Sequence, residues 1–190
     1  MKYLKKYNKL FENVESKIDF KELDSILIDF KQMGLEPEVK TGSSIWHTIL
    51  DFDKLNKDNL QDKPILLSAN RGDRYPELSS YQKGNTNKTL AVEFNSNTAV
   101  EYNIEETEEA YEMLKDYLFD NYNLIPNYIY INFHWDYLYF ENFDRIKEYK
   151  TTYPEEMALS VLNGIILGSG DKNIFKAHQL SFGFYEKESL

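Results

Sequence analysis

The chain contains no cysteine, which removes disulfide frameworks, thiolate metal sites and cysteine nucleophiles together. Arginine is scarce as well: Arg71, Arg74 and Arg145 are the whole supply. Long apolar runs are missing too. The run around Ile165 and Leu167 is bounded by Gly164 and Gly168, and no run approaches the roughly 20 residues of a membrane-spanning helix. The first residues, Met1 to Lys6, are basic but lead into an amphipathic pattern without an apolar core, so a secretory signal is not expected and the cytoplasm is the expected location. Positive charge is outweighed: 22 Lys and Arg stand against 32 Asp and Glu, a net charge of −10. Such a balance disfavours direct binding to nucleic acid or to an anionic membrane, both of which need a cationic face, and favours a basic partner.

Catalytic and cofactor motifs are absent in the same sense. No HExxH, HxxxH or DxD-type element accompanies His134 and Asp136, and no GxSxG pattern occurs. Gly168-Ser169-Gly170 follows an expected helix and precedes an expected strand, whereas phosphate-cradling glycines precede a helix amino terminus. Neither a cofactor nor a metal is therefore expected.

What the chain has is aromatic and aliphatic bulk over 190 residues, enough for one buried core and one domain, 1–190. Its Lys, Asn, Ile, Tyr and Phe content fits a low-GC bacterium or one of its phages. The expected fold class is α+β: an N-terminal helical hairpin over 1–34, then a mostly antiparallel mixed sheet over 45–190 with two further helices packed on it, near 104–120 and 153–167.

In the hairpin, Tyr3, Leu4, Tyr7, Leu10, Phe11 and Val14 recur at helical spacing. The second helix has a capping box in Asp19 and Glu22, a hydrophobic staple in Ile18 and Leu23, and Gly34 as its exit. Its apolar face is Leu23, Ile26, Leu27 and Phe30. Strands are expected at 45–50 and 65–68. Segments 89–94 and 98–103 flank the turn-forming Asn95-Ser96-Asn97 and are expected to pair as a hairpin. Alternation over 128–135 breaks near Trp135, implying a bulge or tight turn before a strand at 138–140, and a last strand spans about 175–185 with Leu180, Phe182 and Phe184 on one face. Thr152, Pro154 and Glu155 should start the last helix. Segment 70–88 has little periodicity and carries Arg71 and Arg74, a candidate anion-binding or partner-contacting loop.

The leading functional feature is the helix near 104–120, capped by Asn103 and buried through Tyr111, Leu114, Tyr117 and Leu118. Its other face carries Glu105, Glu109, Glu112, Asp116 and Asp120 at helical spacing, in a region where eight carboxylates face one lysine, Lys115. The early glutamates meet the positive end of the helix dipole, but Asp116 and Asp120 sit at the opposite end and gain nothing from it. At 1.5 Å per residue these carboxylates succeed one another at about 4.5–6 Å, comparable with backbone phosphates. Tyr128 and Tyr130, of the polar parity shared with Asn132 and His134, are expected to offer an exposed aromatic contact face.

Charge asymmetry without a complete catalytic motif favours a non-catalytic acidic inhibitor or immunity-type protein. It would bind a basic, nucleic-acid-handling protein through the acidic helix, as a nucleic-acid mimic. The alternative is a small hydrolase or transferase using His134 and Asp136, with His47, in a pocket. Oligomeric state does not follow from these patterns.

Overall fold

The computed structural model describes residues 18–42, 45, 50, 52, 66–68, 89–133, 136–152 and 173–186. Several sequence expectations lie outside them: the first helix of the hairpin, most of 45–50, the loop with Arg71 and Arg74, His47, His134 and the helix at 153–167. Within the described residues the class is α+β, with helices α1 (Phe20–Ile26), α2 (Ile28–Gln32), α3 (Ile104–Tyr122) and α4 (Phe143–Thr152). The strands are β1 (Pro37–Thr41), β2 (Leu66–Ser68), β3 (Thr89–Asn103), β4 (Leu124–Phe133), β5 (Asp136–Phe140) and β6 (Ile174–Glu186). They form one sheet in the order β1-β3-β6-β4-β5-β2, with every pairing antiparallel rather than mixed.

The capping box forms by half. The Asp19 carboxylate accepts the amides of Lys21 and Glu22 at 2.9 and 3.2 Å, but its own amide donates to the Tyr122 hydroxyl of α3 at 2.9 Å instead of to Glu22. A tertiary contact thus replaces the local one. The expected single helix is interrupted at Leu27 (φ −78°, ψ 2°), giving α1 and α2. It leaves through Gly34 at φ +80°, with the Leu35 amide on the Phe30 carbonyl and the Gly34 amide on that of Lys31, both 3.0 Å, a Schellman exit.

The expected hairpin across Asn95-Ser96-Asn97 does not form. Both halves belong to β3, which runs antiparallel to β6 throughout, and the spacer is absorbed as a bulge: four residues, 96–99, lie opposite His178 alone, between the pairs Asn95–Gln179 and Val100–Ala177. The long β6 satisfies both halves of β3 at once, so a turn between them would have left donors and acceptors unmade. A second bulge, between Pro126 and Tyr128, lets β4 accept a proline. The turn expected near Trp135 agrees with the pairing of β4 and β5, in which Phe133 lies opposite Asp136. Strands β3 and β4 flank β6 and run parallel to each other, joined by α3; the helix is thereby laid across the sheet centre.

Leu90, Val92 and Phe94 of β3, Leu180, Phe182 and Phe184 of β6, Ile129 and Ile131 of β4, and Leu138 and Phe140 of β5 form the buried helix-side layer. Phe182 is its hub. Phe30 of α2, Tyr111 of α3 and Phe143 of α4 approach its ring at 5.8, 4.7 and 6.2 Å between centroids. Neither α4 nor the edge strand β1 is foreseen by the sequence reading. For α4 the signals are Asn142, whose side chain accepts the Arg145 amide at 3.1 Å, and Phe143 and Ile146, both buried at a spacing of three.

Candidate functional site

Helix α3 is held at its start by Asn103, whose side-chain oxygen accepts the amides of Glu105 and Glu106 at 3.0 and 3.2 Å, as its sequence requires. It ends at Tyr122, followed by Asn123 in the left-handed region at φ 55°. Its inner side is Ile104, Thr107, Ala110, Tyr111, Leu114 and Leu118, all buried. Tyr117 is half-buried, its hydroxyl 3.3 Å from that of Tyr122. Desolvation, then hydrogen bonds to Tyr122 and Glu22, raise its pKa.

That docking fixes the outward face. Glu105, Glu109, Glu112, Asp116 and Asp120 are all exposed. The structure also sorts the helix's carboxylates by pairing. Glu108, off the stripe, reaches Lys147 of α4 at 2.5 Å, and Glu112 pairs with Lys115 within the helix. Glu105, Glu109, Asp116 and Asp120 form no salt bridge among the described residues.

Two apolar side chains that the sequence reading missed lie on the same outward side: Met113 is 50% exposed and Phe119 47% exposed. Their signal was available, since neither falls on the apolar spacing of Tyr111, Leu114 and Leu118. Beside Phe119, the carboxyl end of α3 opens onto a hollow of about 580 Å³ lined by residues 119–123, Asp120 among them. Helix carbonyls carry partial negative charge at this end, so Asp120 deepens a field that already favours a cation.

Tyr128 and Tyr130 are not an exposed contact face. Their relative exposures are 3% and 1%, because the second face of the sheet is buried as well as the first. Alternation assigned their parity correctly and their environment wrongly. Tyr130 and Tyr139 lie 4.9 Å apart between ring centroids, and Tyr128 sits against the α-carbon of Gly183, where an added β-carbon would lie 2.1 Å from the ring. Burial, with the neighbouring Tyr139, holds the Tyr128 hydroxyl well above its ordinary pKa.

On this second face Glu93, 1% exposed, is the buried charge. Its Oε2 accepts from Lys40 at 2.7 Å, Gln179 at 3.2 Å and Asn95 at 3.4 Å. Desolvation lowers the Lys40 pKa, but its hydrogen bond to Glu93 and the charges of Glu93 and Glu38 outweigh that and leave it raised.

Of the alternative catalytic pair, Asp136 lies in β5 opposite Phe133, and His134 lies outside the described residues. Among the described residues no group of three or more His, Asp or Glu is arranged to hold a metal ion, and no helix is long and apolar enough to cross a membrane. Comparison with protein-family models, with curated proteins and with solved structures finds no match to the chain.

Proposed function

We propose that this protein is a non-catalytic inhibitor or immunity-type protein whose helix α3 docks into a basic cleft of a nucleic-acid-handling protein. The observation that carries the reading is the outward face of α3. Four carboxylates without salt bridges among the described residues lie in line there, with Met113 and Phe119 exposed among them. Carboxylates steer encounter and pair with lysines and arginines that otherwise hold phosphates; the two apolar side chains supply contact area that water leaves on binding. Asp116 and Asp120 strengthen the reading, since the helix dipole disfavours them where they stand. The basic partner is thus recognised by charge, and the mimicry is of phosphate spacing.

The test is capture from lysate at low and moderate salt, compared between the native chain and the triple variant Glu109→Lys, Glu112→Lys, Asp116→Lys. Exposed pairs are worth roughly 0.2–1 kcal/mol each, so three reversals should weaken a genuine complex by about a hundredfold, with the circular dichroism spectrum unchanged. Duplex DNA should compete for the same partner. A partner retained equally by the triple variant would sink the proposal.

A further inference from the structure

The outer side of β3 carries a different signal. Strand β1 covers this side only from Leu90 to Phe94, opposite Thr41 to Pro37, while β6 accompanies the other side as far as Asn103. Residues 95–103 therefore have no strand partner on the β1 side among the described residues. The stretch is also open to water: Asn95, Asn97, Thr98, Ala99 and Glu101 are exposed. Past the bulge, Val100 to Asn103 lie in regular register with Ala177 to Ile174, so this part has the form of a ladder edge. Every second residue of such an edge turns its N–H and C=O outward.

Beside this edge lies a hollow of about 240 Å³, walled by Met33, Leu35, Tyr102 and Ile174, with Glu101 and Glu106 in its polar lining. Leu35 and Tyr102 belong to the helix-side core, which places the hollow on that side of the sheet. Its volume falls below the roughly 300 Å³ at which small-molecule sites begin, so it suits one side chain and not a cofactor. Tyr102 is stacked on Phe175 at 5.0 Å between centroids, which fixes that wall. Charge decides what stands next to the inserted side chain. Glu106, and Glu36 beside Pro37, are exposed and form no salt bridge among the described residues, whereas Glu101 is paired with Lys176 at 2.6 Å.

We propose that the edge from Val100 to Asn103 accepts a short basic peptide as an added strand, with one leucine-like side chain in the hollow and a lysine two residues to either side. Side chains at i−2, i and i+2 of a strand share a face, so an anchor in the hollow brings both lysines to the side of Glu106. Ladder hydrogen bonds supply affinity, and the hollow with its carboxylates supplies the choice of sequence. A second copy of the chain suits the edge less, because each copy carries a net charge of −10. The inference stands apart from the role proposed for the stripe of α3.

The experiment titrates the full chain by calorimetry, at low salt, with the blocked peptide acetyl-Lys-Thr-Leu-Thr-Lys-amide. Saturable binding is expected, weakened about tenfold or more when glycine replaces the leucine. An added strand uses the amides of alternate residues only, so N-methylation of the leucine and N-methylation of both threonines should differ in effect by at least tenfold. Glu106→Lys, at an exposed position, should weaken binding roughly fivefold. The peptide comparisons decide the matter if that variant does not fold. Absence of saturable binding, equal binding of the glycine peptide, equal tolerance of the two methylation patterns, or indifference of the folded variant would each overturn the inference. So would a dimer in sedimentation that excess peptide leaves intact, since a second copy would then hold the edge.

Discussion

The outward stripe of α3 and the buried Glu93 of β3 place the same chemical group under opposite conditions. On α3, Glu105, Glu109, Asp116 and Asp120 remain in water, where like charges on one helix face cost only about 0.2–0.5 kcal/mol per pair. Glu93 is withdrawn from water and holds three donors on one oxygen. Solvation lets the first set stand without partners among the described residues; burial forces the second to acquire them. A carboxylate count therefore says nothing about role until exposure is known. The stripe is available to a partner because the fold does not use it, and Glu93 is committed to the fold.

Breaking the buried side of this contrast should have the largest effect. Lys40→Ala strands the Glu93 charge and should destabilise the protein by about 3 kcal/mol in urea titration; the low end of the usual range for a broken buried pair applies because the Lys40 side chain keeps 21% exposure. A loss under about 1 kcal/mol would show Glu93 to be better solvated than its burial implies. The pair also sets a pH dependence. The folded pKa of Lys40 is raised above 10.5, so its contribution is complete below that pH and is lost as pH rises through the folded value. The hydroxyls of Tyr102 and Tyr111, raised by burial, act in the same window. Stability of the native chain should fall above about pH 10.5, and the alkaline slope should be shallower in Lys40→Ala.

The support of the stripe is worth less. Asn103→Ala removes the acceptor of two amides at the start of α3 and should cost about 1 kcal/mol, read as a shifted thermal midpoint. The smallest effect belongs to the stripe itself. Asp116→Asn with Asp120→Asn should leave stability unchanged or raise it by a few tenths of a kcal/mol, by relieving repulsion and an unfavourable dipole contact. The double variant should still weaken partner capture. A clear loss of stability instead would mean that these aspartates serve the fold.

Much of α3 was legible in the chain because its determinants are local. Asn103 caps it, Tyr111, Leu114 and Leu118 define its inner side, and the carboxylates fall opposite by periodicity alone. The exit of α2 at Gly34 was legible for the same reason. Where partners are distant in sequence, reading failed. Asn95-Ser96-Asn97 has the composition of a hairpin turn, yet β6, some 80 residues later, straightens it into a bulged strand. Tyr128 and Tyr130 alternate as a solvent-facing set should, and are nonetheless buried. Period-two patterning distinguishes the two faces of a strand but does not say how many of them water reaches.

The sequence by itself determined the helix boundaries at Asp19, Gly34 and Asn103, the acidic stripe and the α+β class, since caps, glycine conformations and side-chain periodicity act within a few residues. Tertiary structure alone decided that β3 is one strand and that the stripe's carboxylates stand in water while Glu93 is enclosed. It also brought Lys40, Ser181 and Tyr130 to the same face. Exposure and charge pairing are set by what packs against a residue, and that neighbour is supplied by strand order, which no local signal encodes.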